Sequence, residues 1–112
     1  MKAEDIFIGK GDMKSEIVEG DIERRIHTGE HIQIVEYRFP ADRTFPPHRH
    51  ETVEQVGYLL SGRMGFNIGG IVRDLVPGEW YRVPVGVEHN AWTYEKPSVL
   101  LDLFSPPREE LK

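Results

Sequence analysis

Short alternating runs of hydrophobic and polar residues, separated by glycine and proline, fill most of the chain. Residues 31–39 (HIQIVEYRF) and 98–104 (SVLLDLF) show the period of two that is typical of half-buried β-strands. Five further runs have strand length: 55–60, 63–68, 71–76, 79–84 and 89–95. Gly69-Gly70 and Pro77-Gly78 are strong turn signals between them. About eight short strands with such turns predict an all-β antiparallel barrel or sandwich.

The N-terminal part of the chain has a different pattern. Residues 10–20 are the only segment that we expect to be helical, and Gly11 and Gly20 keep it short. We expect residues 1–25 to form an arm laid on the barrel or on a partner subunit, residues 26–106 the barrel, and 107–112 a polar tail. A length of 112 residues suits one domain.

Composition excludes several classes of function. The net charge is −5 and there is no block of Lys and Arg, which argues against a nucleic-acid partner. No apolar run approaches the length of a membrane span. The absence of cysteine rules out disulfides, thiolate nucleophiles and Cys-ligated metals. The first residues do not look like a secretory signal, so a cytoplasmic location is the default expectation.

Candidate metal ligands occur in two distant segments. His48 and His50 follow a double proline, and residues two apart on a strand face the same way. Gln55 opens the next strand and can turn its side chain toward the same interior. His89 ends a turn rich in glycine and proline. Either a structural turn or a metal site explains each feature alone, whereas His27 and His31 have no such setting and are interpreted as surface histidines.

Together the two segments resemble the two motifs of the cupins. The first reads His48-x-His50-x4-Gln55-x6-Gly62, and the second reads Gly78-x5-Pro84-x-Gly86-x2-His89. The resemblance implies a cupin-type jelly roll (double-stranded β-helix), a homodimer, and one divalent transition metal, which can be nickel, zinc, manganese, iron or cobalt. It also implies the metal ligands: His48, His50, Gln55 and His89.

The chain departs from the usual cupin pattern at three positions. Asp42 stands where the family often has glycine, and Thr93 where it often has asparagine. Gln55 replaces the usual glutamate ligand. Glu54 is not a substitute, because neighbouring residues on a strand face opposite sides. A three-histidine, one-glutamine ligand set is neutral, so a bound divalent ion would keep its full charge to polarise a carbonyl or stabilise an enolate.

A second cluster of candidate residues lies near the C-terminus. Asp102 shares one strand face with apolar residues, where a carboxylate is costly to bury unless it is paired or functional. Arg108 follows a double proline. Two interpretations are open: a structural ion pair between Asp102 and Arg108, or an acid/base role for Asp102 with Arg108 binding a substrate carboxylate and Phe104 walling the pocket.

The segment Asp-x-Phe-Ser-Pro-Pro-Arg-Glu, with the glutamine-type metal site, is similar to the KdgF-type group of cupins. That resemblance implies conversion of unsaturated uronates from pectin or alginate into linear keto forms, with Asp102, Phe104 and Arg108 as active-site residues. The alternatives are a quercetinase-like dioxygenase and a non-catalytic cupin that binds a sugar or a metal. Six aromatic residues are interpreted mainly as core or dimer-face residues: Tyr58, Phe66, Trp80, Tyr81, Trp92 and Tyr94.

Overall fold

A computed structural model describes all residues, 1–112, as ten β-strands with three very short helical segments. The strands are β1 (Lys14–Val18), β2 (Ile22–Thr28), β3 (Gln33–Phe39), β4 (Thr44–His48), β5 (Glu54–Ser61), β6 (Met64–Ile68), β7 (Ile71–Leu75), β8 (Trp80–Val83), β9 (His89–Thr93) and β10 (Ser98–Ser105). The helical segments are an α-helical turn, Ala3–Ile6, and two 3₁₀ turns, Lys10–Asp12 and Glu109–Leu111. All three are too short to cross a bilayer.

The strands form two antiparallel sheets, which confirms the predicted all-β class. The larger sheet has the order β1-β2-β3-β10-β5-β8, and the smaller has the order β4-β9-β6-β7. Every pairing is antiparallel, as a jelly roll requires. The predicted hairpin at Gly69-Gly70 joins β6 to β7, and both glycines have the positive φ that such a turn needs.

The alternation in the sequence places one face of each central strand in the interior. In β3 every second residue from Gln33 to Phe39 is buried, and in β10 the buried residues are Ser98, Leu100, Asp102 and Phe104. Sixteen buried hydrophobic residues form one continuous core. Polar side chains therefore reach the interior at a few specific positions, and most of these line the candidate site.

The expectation of a helix over residues 10–20 is wrong. Residues 14–18 form β1, and Glu19 and Gly20, both at positive φ, begin the turn that leads into β2. The two strands extend the larger sheet beyond β3, so most of the predicted arm is part of that sheet and the predicted boundary at residue 26 falls inside β2. A cross-strand ion pair between Arg24 and Glu16, at 2.5 Å, ties this edge together.

Candidate metal centre and active site

Three histidines from the two predicted segments meet at one place between the sheets. His48 ends β4 and lies opposite His89, the first residue of β9. His50 lies two residues past the end of β4, and its carbonyl accepts a 2.8 Å hydrogen bond from Gly86 N. That bond joins the two motifs directly. The candidate ligand nitrogens of the three imidazoles all lie within 4.8 Å of one another.

Backbone carbonyls fix the orientation of two of these rings. Pro46 O lies 2.8 Å from His48 Nδ1, and Val87 O lies 2.9 Å from His89 Nδ1. A carbonyl oxygen can only accept a hydrogen bond, so in each ring Nδ1 carries the proton and Nε2 keeps a free lone pair. Both imidazoles are therefore prepared to act as neutral Nε2 ligands.

Three buried polar atoms near this point have no hydrogen-bond partner: His50 Nε2, His89 Nε2 and Gln55 Oε1. Buried polar atoms are normally satisfied, and each one left alone costs about 1–3 kcal/mol. All three carry a lone pair suited to a divalent transition metal. The residues present thus fit the metal that the sequence motifs imply.

Gln55, and not Glu54, faces the interior, as the strand periodicity predicts. The Gln55 side chain is buried at the start of β5, whereas Glu54 is exposed and accepts a 2.6 Å hydrogen bond from Arg82 Nε. His31 is confirmed as a surface residue, with 85% of its side chain exposed. His27 lies half-buried on β2, away from the cluster.

Burial keeps the histidines neutral. Desolvation lowers the pKa of His50 to about 4, and the nearby positive charge of Arg108 adds to the effect. Desolvation also lowers the pKa of His89 to about 4, although its bond to Val87 opposes this shift. The pKa of His48 is lowered for the same main reason. Around pH 7 the cluster therefore offers uncharged rings.

A chain of hydrogen bonds connects Gln55 to Asp102. Gln55 Nε2 donates to Tyr81 Oη at 2.9 Å, and Tyr81 Oη donates in turn to Asp102 Oδ1. Gly57 lies between Asp102 and Tyr81 in the sheet, because it pairs with both. A Cβ on Gly57 would overlap the Tyr81 ring and lie 2.5 Å from Asp102 Oδ1. The missing side chain of Gly57 therefore makes room for this contact.

Asp102 is a buried carboxyl group with a shifted pKa. Burial raises its pKa to about 7, and the hydrogen bond from Tyr81 opposes this shift only in part. A carboxyl group with a pKa near neutrality can both accept and release a proton, as a general acid/base does. Such a shift marks a functional candidate once the geometry places the group in a cavity.

Arg108 does not pair with Asp102, so the predicted structural ion pair is not formed. Its Nε donates to Glu110 Oε1 at 2.8 Å, and its guanidinium lies over the Phe104 ring at 4.9 Å. Phe104 in turn contacts His50 edge-on, with the ring centroids 5.5 Å apart. Arg108 and Phe104 therefore lie beside the histidine cluster.

One cavity brings most of these groups together. It holds about 390 Å³ of empty space, including solvent at its mouth. Its lining contains the polar residues His48, Gln55, Tyr81, His89, Asp102 and Arg108. Apolar walls come from β3, β4, β6 and β10, with Phe66 among them. Six of the seven predicted site residues line this cavity, and the seventh, His50, contacts its wall through Phe104.

Sequence reasoning missed the role of Tyr81. The interpretation of Tyr81 as a core aromatic residue is incomplete, because its ring is buried but its hydroxyl links Gln55 to Asp102. A signal was present in Gly57, since glycine inside a strand often marks a close approach of other groups. The partner across the sheet could not be known without the strand register.

Comparisons with known proteins agree with this geometry. Residues 35–104 match the cupin domain family. The pectin degradation protein KdgF of Dickeya dadantii (strain 3937) is 31% identical over 90 residues, which cover 80% of this chain and 82% of that protein. The structure of KdgF from Halomonas sp. superposes with a TM-score of 0.86 at 30% identity, covering 95% of this chain and 97% of that one.

An RmlC-like cupin from Shewanella frigidimarina NCIMB 400 superposes with a TM-score of 0.85 at 26% identity, and the match covers 96% of each chain. The matched segment of the family contains the histidine cluster, Gln55, Asp102 and Phe104. The strand order, the histidine cluster and these matches lead to one conclusion. The chain belongs to the cupin family.

Proposed function

We propose that this cupin binds one divalent transition metal and converts an unsaturated uronate, of the kind released from pectin or alginate, into its linear keto form. His48, His50, Gln55 and His89 would hold the metal. The observation that carries the proposal is the single cavity in which three unpartnered metal-ligand atoms lie beside a buried carboxyl group and a guanidinium. The likeness to KdgF proteins supports the choice of substrate.

A metal bound by these neutral ligands would act as a Lewis acid toward the oxygen atoms of a bound sugar. Arg108 would bind the carboxylate of the uronate, since a guanidinium matches a carboxylate with two parallel hydrogen bonds. The Phe104 ring supports the Arg108 guanidinium from one side and keeps water away from it. The apolar walls leave the polar edge of the sugar to the histidine side of the cavity.

The conversion is an isomerisation that needs only proton transfers. The hydroxyl group on C1 loses its proton, the bond between C1 and the ring oxygen breaks, and C1 becomes an aldehyde. The ring oxygen takes a proton and stays on C5 as an enol, which becomes a ketone when C4 gains a proton and the hydroxyl loses one. Asp102, with a pKa raised to about 7, is the group that we assign to these proton transfers.

An assay with defined variants tests this function. Unsaturated galacturonate or guluronate monomers would be incubated with the metal-loaded protein while the ultraviolet absorbance of the conjugated double bond is followed. We expect the absorbance to fall much faster than in buffer, and we expect His50→Ala to lose both bound metal and activity. His31→Ala is the matched control, because that side chain is exposed and far from the cluster.

Two outcomes separate the alternatives. A protein that binds metal but leaves the absorbance unchanged would contradict the uronate function. Oxygen consumption with an aromatic or diketone substrate would instead identify a dioxygenase. The predicted homodimer and the cytoplasmic location stay predictions, and molecular mass in solution tests the first of them.

A further inference from the structure

We infer that Tyr81 is a positioning residue that determines which end of the Gln55 amide faces the histidines. The inference rests on the metal-binding part of the proposed function and adds a residue to it. Tyr81 is buried on β8, and its hydroxyl lies between the amide of Gln55 and the carboxylate of Asp102. No other hydrogen bond is made by the Gln55 side chain.

The direction of the hydrogen bonds follows from the chemistry of the last group. An ionised carboxylate can only accept, so Tyr81 Oη must donate its one proton to Asp102. Toward Gln55 the same oxygen can then only accept. Gln55 must therefore present its NH₂ group to Tyr81, and its Oε1 atom is left unpartnered in the interior.

This constraint matters because the two ends of an amide have nearly the same size and shape. Without a partner, Gln55 could turn its NH₂ group toward the histidines at little steric cost. An amide nitrogen has no lone pair available for a metal, so that orientation would remove one ligand. Gln55 is close enough to His50 to oppose the lowering of the His50 pKa, which places the amide beside the cluster.

The sheet enforces the contact between Tyr81 and Asp102. Gly57 stands between them in the register, and its lack of a side chain lets the Tyr81 ring lie across β5. The ring also packs against Phe66, with centroids 4.5 Å apart. Because the ring is held on both sides, the hydroxyl is fixed before any ligand binds.

A glutamate at position 55 would not need this device, since both ends of a carboxylate are oxygens. This difference gives a direct test with four proteins: wild type, Tyr81→Phe, Gln55→Glu and the double variant. The probe is Ni²⁺ alone, and its dissociation constant is measured by calorimetry at pH 8. We expect Tyr81→Phe to weaken Ni²⁺ binding about threefold to tenfold with Gln55 present, since one neutral hydrogen bond is lost.

In the Gln55→Glu background we expect Tyr81→Phe to change the dissociation constant by less than about twofold, because no orientation remains to be fixed. Tyr37→Phe is the matched control. Tyr37 lines the same cavity, but its hydroxyl contacts Arg24 rather than Gln55. Thermal unfolding of each variant shows that it is folded before titration.

Gly57→Ala provides a second route, because it displaces the Tyr81 ring without removing the hydroxyl. It is expected to weaken Ni²⁺ binding when Gln55 is present and to have little effect in the Gln55→Glu background. An equal loss of affinity in both backgrounds would overturn the role of Tyr81, and so would an unchanged affinity of Tyr81→Phe. Failure of the wild-type protein to bind Ni²⁺, or any other divalent transition metal, would overturn the proposed function as well.

Discussion

The side-chain amide of Gln33 binds the main chain of Arg108 through both polar groups of that residue. Gln33 Oε1 accepts from Arg108 N at 3.0 Å, and Gln33 Nε2 donates to Arg108 O at 3.2 Å. Gln33 is fully buried, and Leu111, three residues beyond Arg108, is buried as well. The last residues of the chain are therefore anchored to the sheet, and Arg108 leaves the backbone at a fixed point.

Removing this anchor is predicted to weaken substrate binding more than catalysis. Gln33→Met keeps the length of the side chain but loses both hydrogen bonds to Arg108. We expect KM for the unsaturated uronate to rise about threefold to tenfold with kcat within about twofold, and stability to fall by about 1–3 kcal/mol. Steady-state kinetics and thermal unfolding measure both effects.

The control for this variant is Thr28→Val, which removes only the 2.9 Å bond between Gln33 Nε2 and Thr28 Oγ1. It should leave KM close to the wild-type value. A Gln33→Met protein that loses stability without any rise in KM would show that Gln33 serves the fold and not the position of Arg108.

Glu110 is predicted to compete with the substrate for Arg108. Its carboxylate accepts from Arg108 Nε at 2.8 Å, and 62% of the Glu110 side chain is exposed, against 14% for Arg108. A substrate carboxylate needs the same donor group. We therefore expect Glu110→Gln to lower KM about twofold to fivefold, and the difference from wild type to shrink at high salt because exposed charges are screened.

Glu109→Gln is the matched control, since Glu109 pairs with Lys112 and not with Arg108. It changes the net charge by the same amount and should leave KM unchanged. If Glu110→Gln raised KM instead, Glu110 would be holding Arg108 in its binding position and the idea of competition would be wrong.

Gly57 is predicted to be intolerant of a side chain. A Cβ there would overlap the Tyr81 ring and press on Asp102, and neither the buried ring nor the strand behind it has space to move. We expect Gly57→Ala to destabilise the protein by about 1–3 kcal/mol, the usual range for overpacking a core. Denaturant unfolding measures this directly.

Gly11→Ala is the comparison, because nothing lies within 4 Å of a Cβ at Gly11 and its φ is not positive. It should be neutral or slightly stabilising, as glycine-to-alanine changes at permissive positions are. A Gly57→Ala protein as stable as Gly11→Ala would mean that the Tyr81–Asp102 contact can shift without cost.

Much of the fold and of the candidate site follows from the period of two in the sequence. That period placed Gln55 inside and Glu54 outside, and it placed Asp102 and Phe104 on one buried face. It also located the Gly69-Gly70 hairpin. These features are local, so neighbouring residues carry enough information to predict them.

The features that were not predicted depend on contacts between distant segments. Tyr81 meets Asp102 across Gly57, and Gln33 meets Arg108 from 75 positions away. Neither pairing can be read without the strand register and the path of the tail. β1 and β2 were missed because their polar residues are tied by the cross-strand Arg24–Glu16 pair rather than by a clear alternation.

Departures from the cupin pattern proved compatible with the turns at which they occur. Asp42 stands where the family often has glycine, and it has a φ of 55°, a left-handed conformation that aspartate tolerates better than most residues. Thr93 uses its hydroxyl to accept from Arg43 N at 3.0 Å and to donate to Pro40 O at 2.7 Å. Short polar side chains thus supply the local hydrogen bonds and backbone geometry at both positions.

Asp102 is predicted to make the metal-free protein less stable as the pH rises. Its folded-state pKa is raised to about 7, above the value of about 3.9 for an unfolded chain. Between these values the folded protein binds more protons than the unfolded one. The free energy of unfolding therefore loses a contribution as the pH rises from about 4 to 7, and the full cost of the buried charge is present above pH 7.

Asp102→Asn removes that cost while keeping an oxygen that accepts from Tyr81. We expect the free energy of unfolding of Asp102→Asn minus that of wild type to become more positive between pH 4 and pH 8, by about 4 kcal/mol at most. Both proteins are unfolded with denaturant in the presence of a chelator, so that the histidines contribute equally and cancel. A difference that stays constant across this pH range would show that Asp102 titrates in the folded protein as it does in the unfolded chain, which its burial at 3% exposure does not allow for an uncompensated carboxylate.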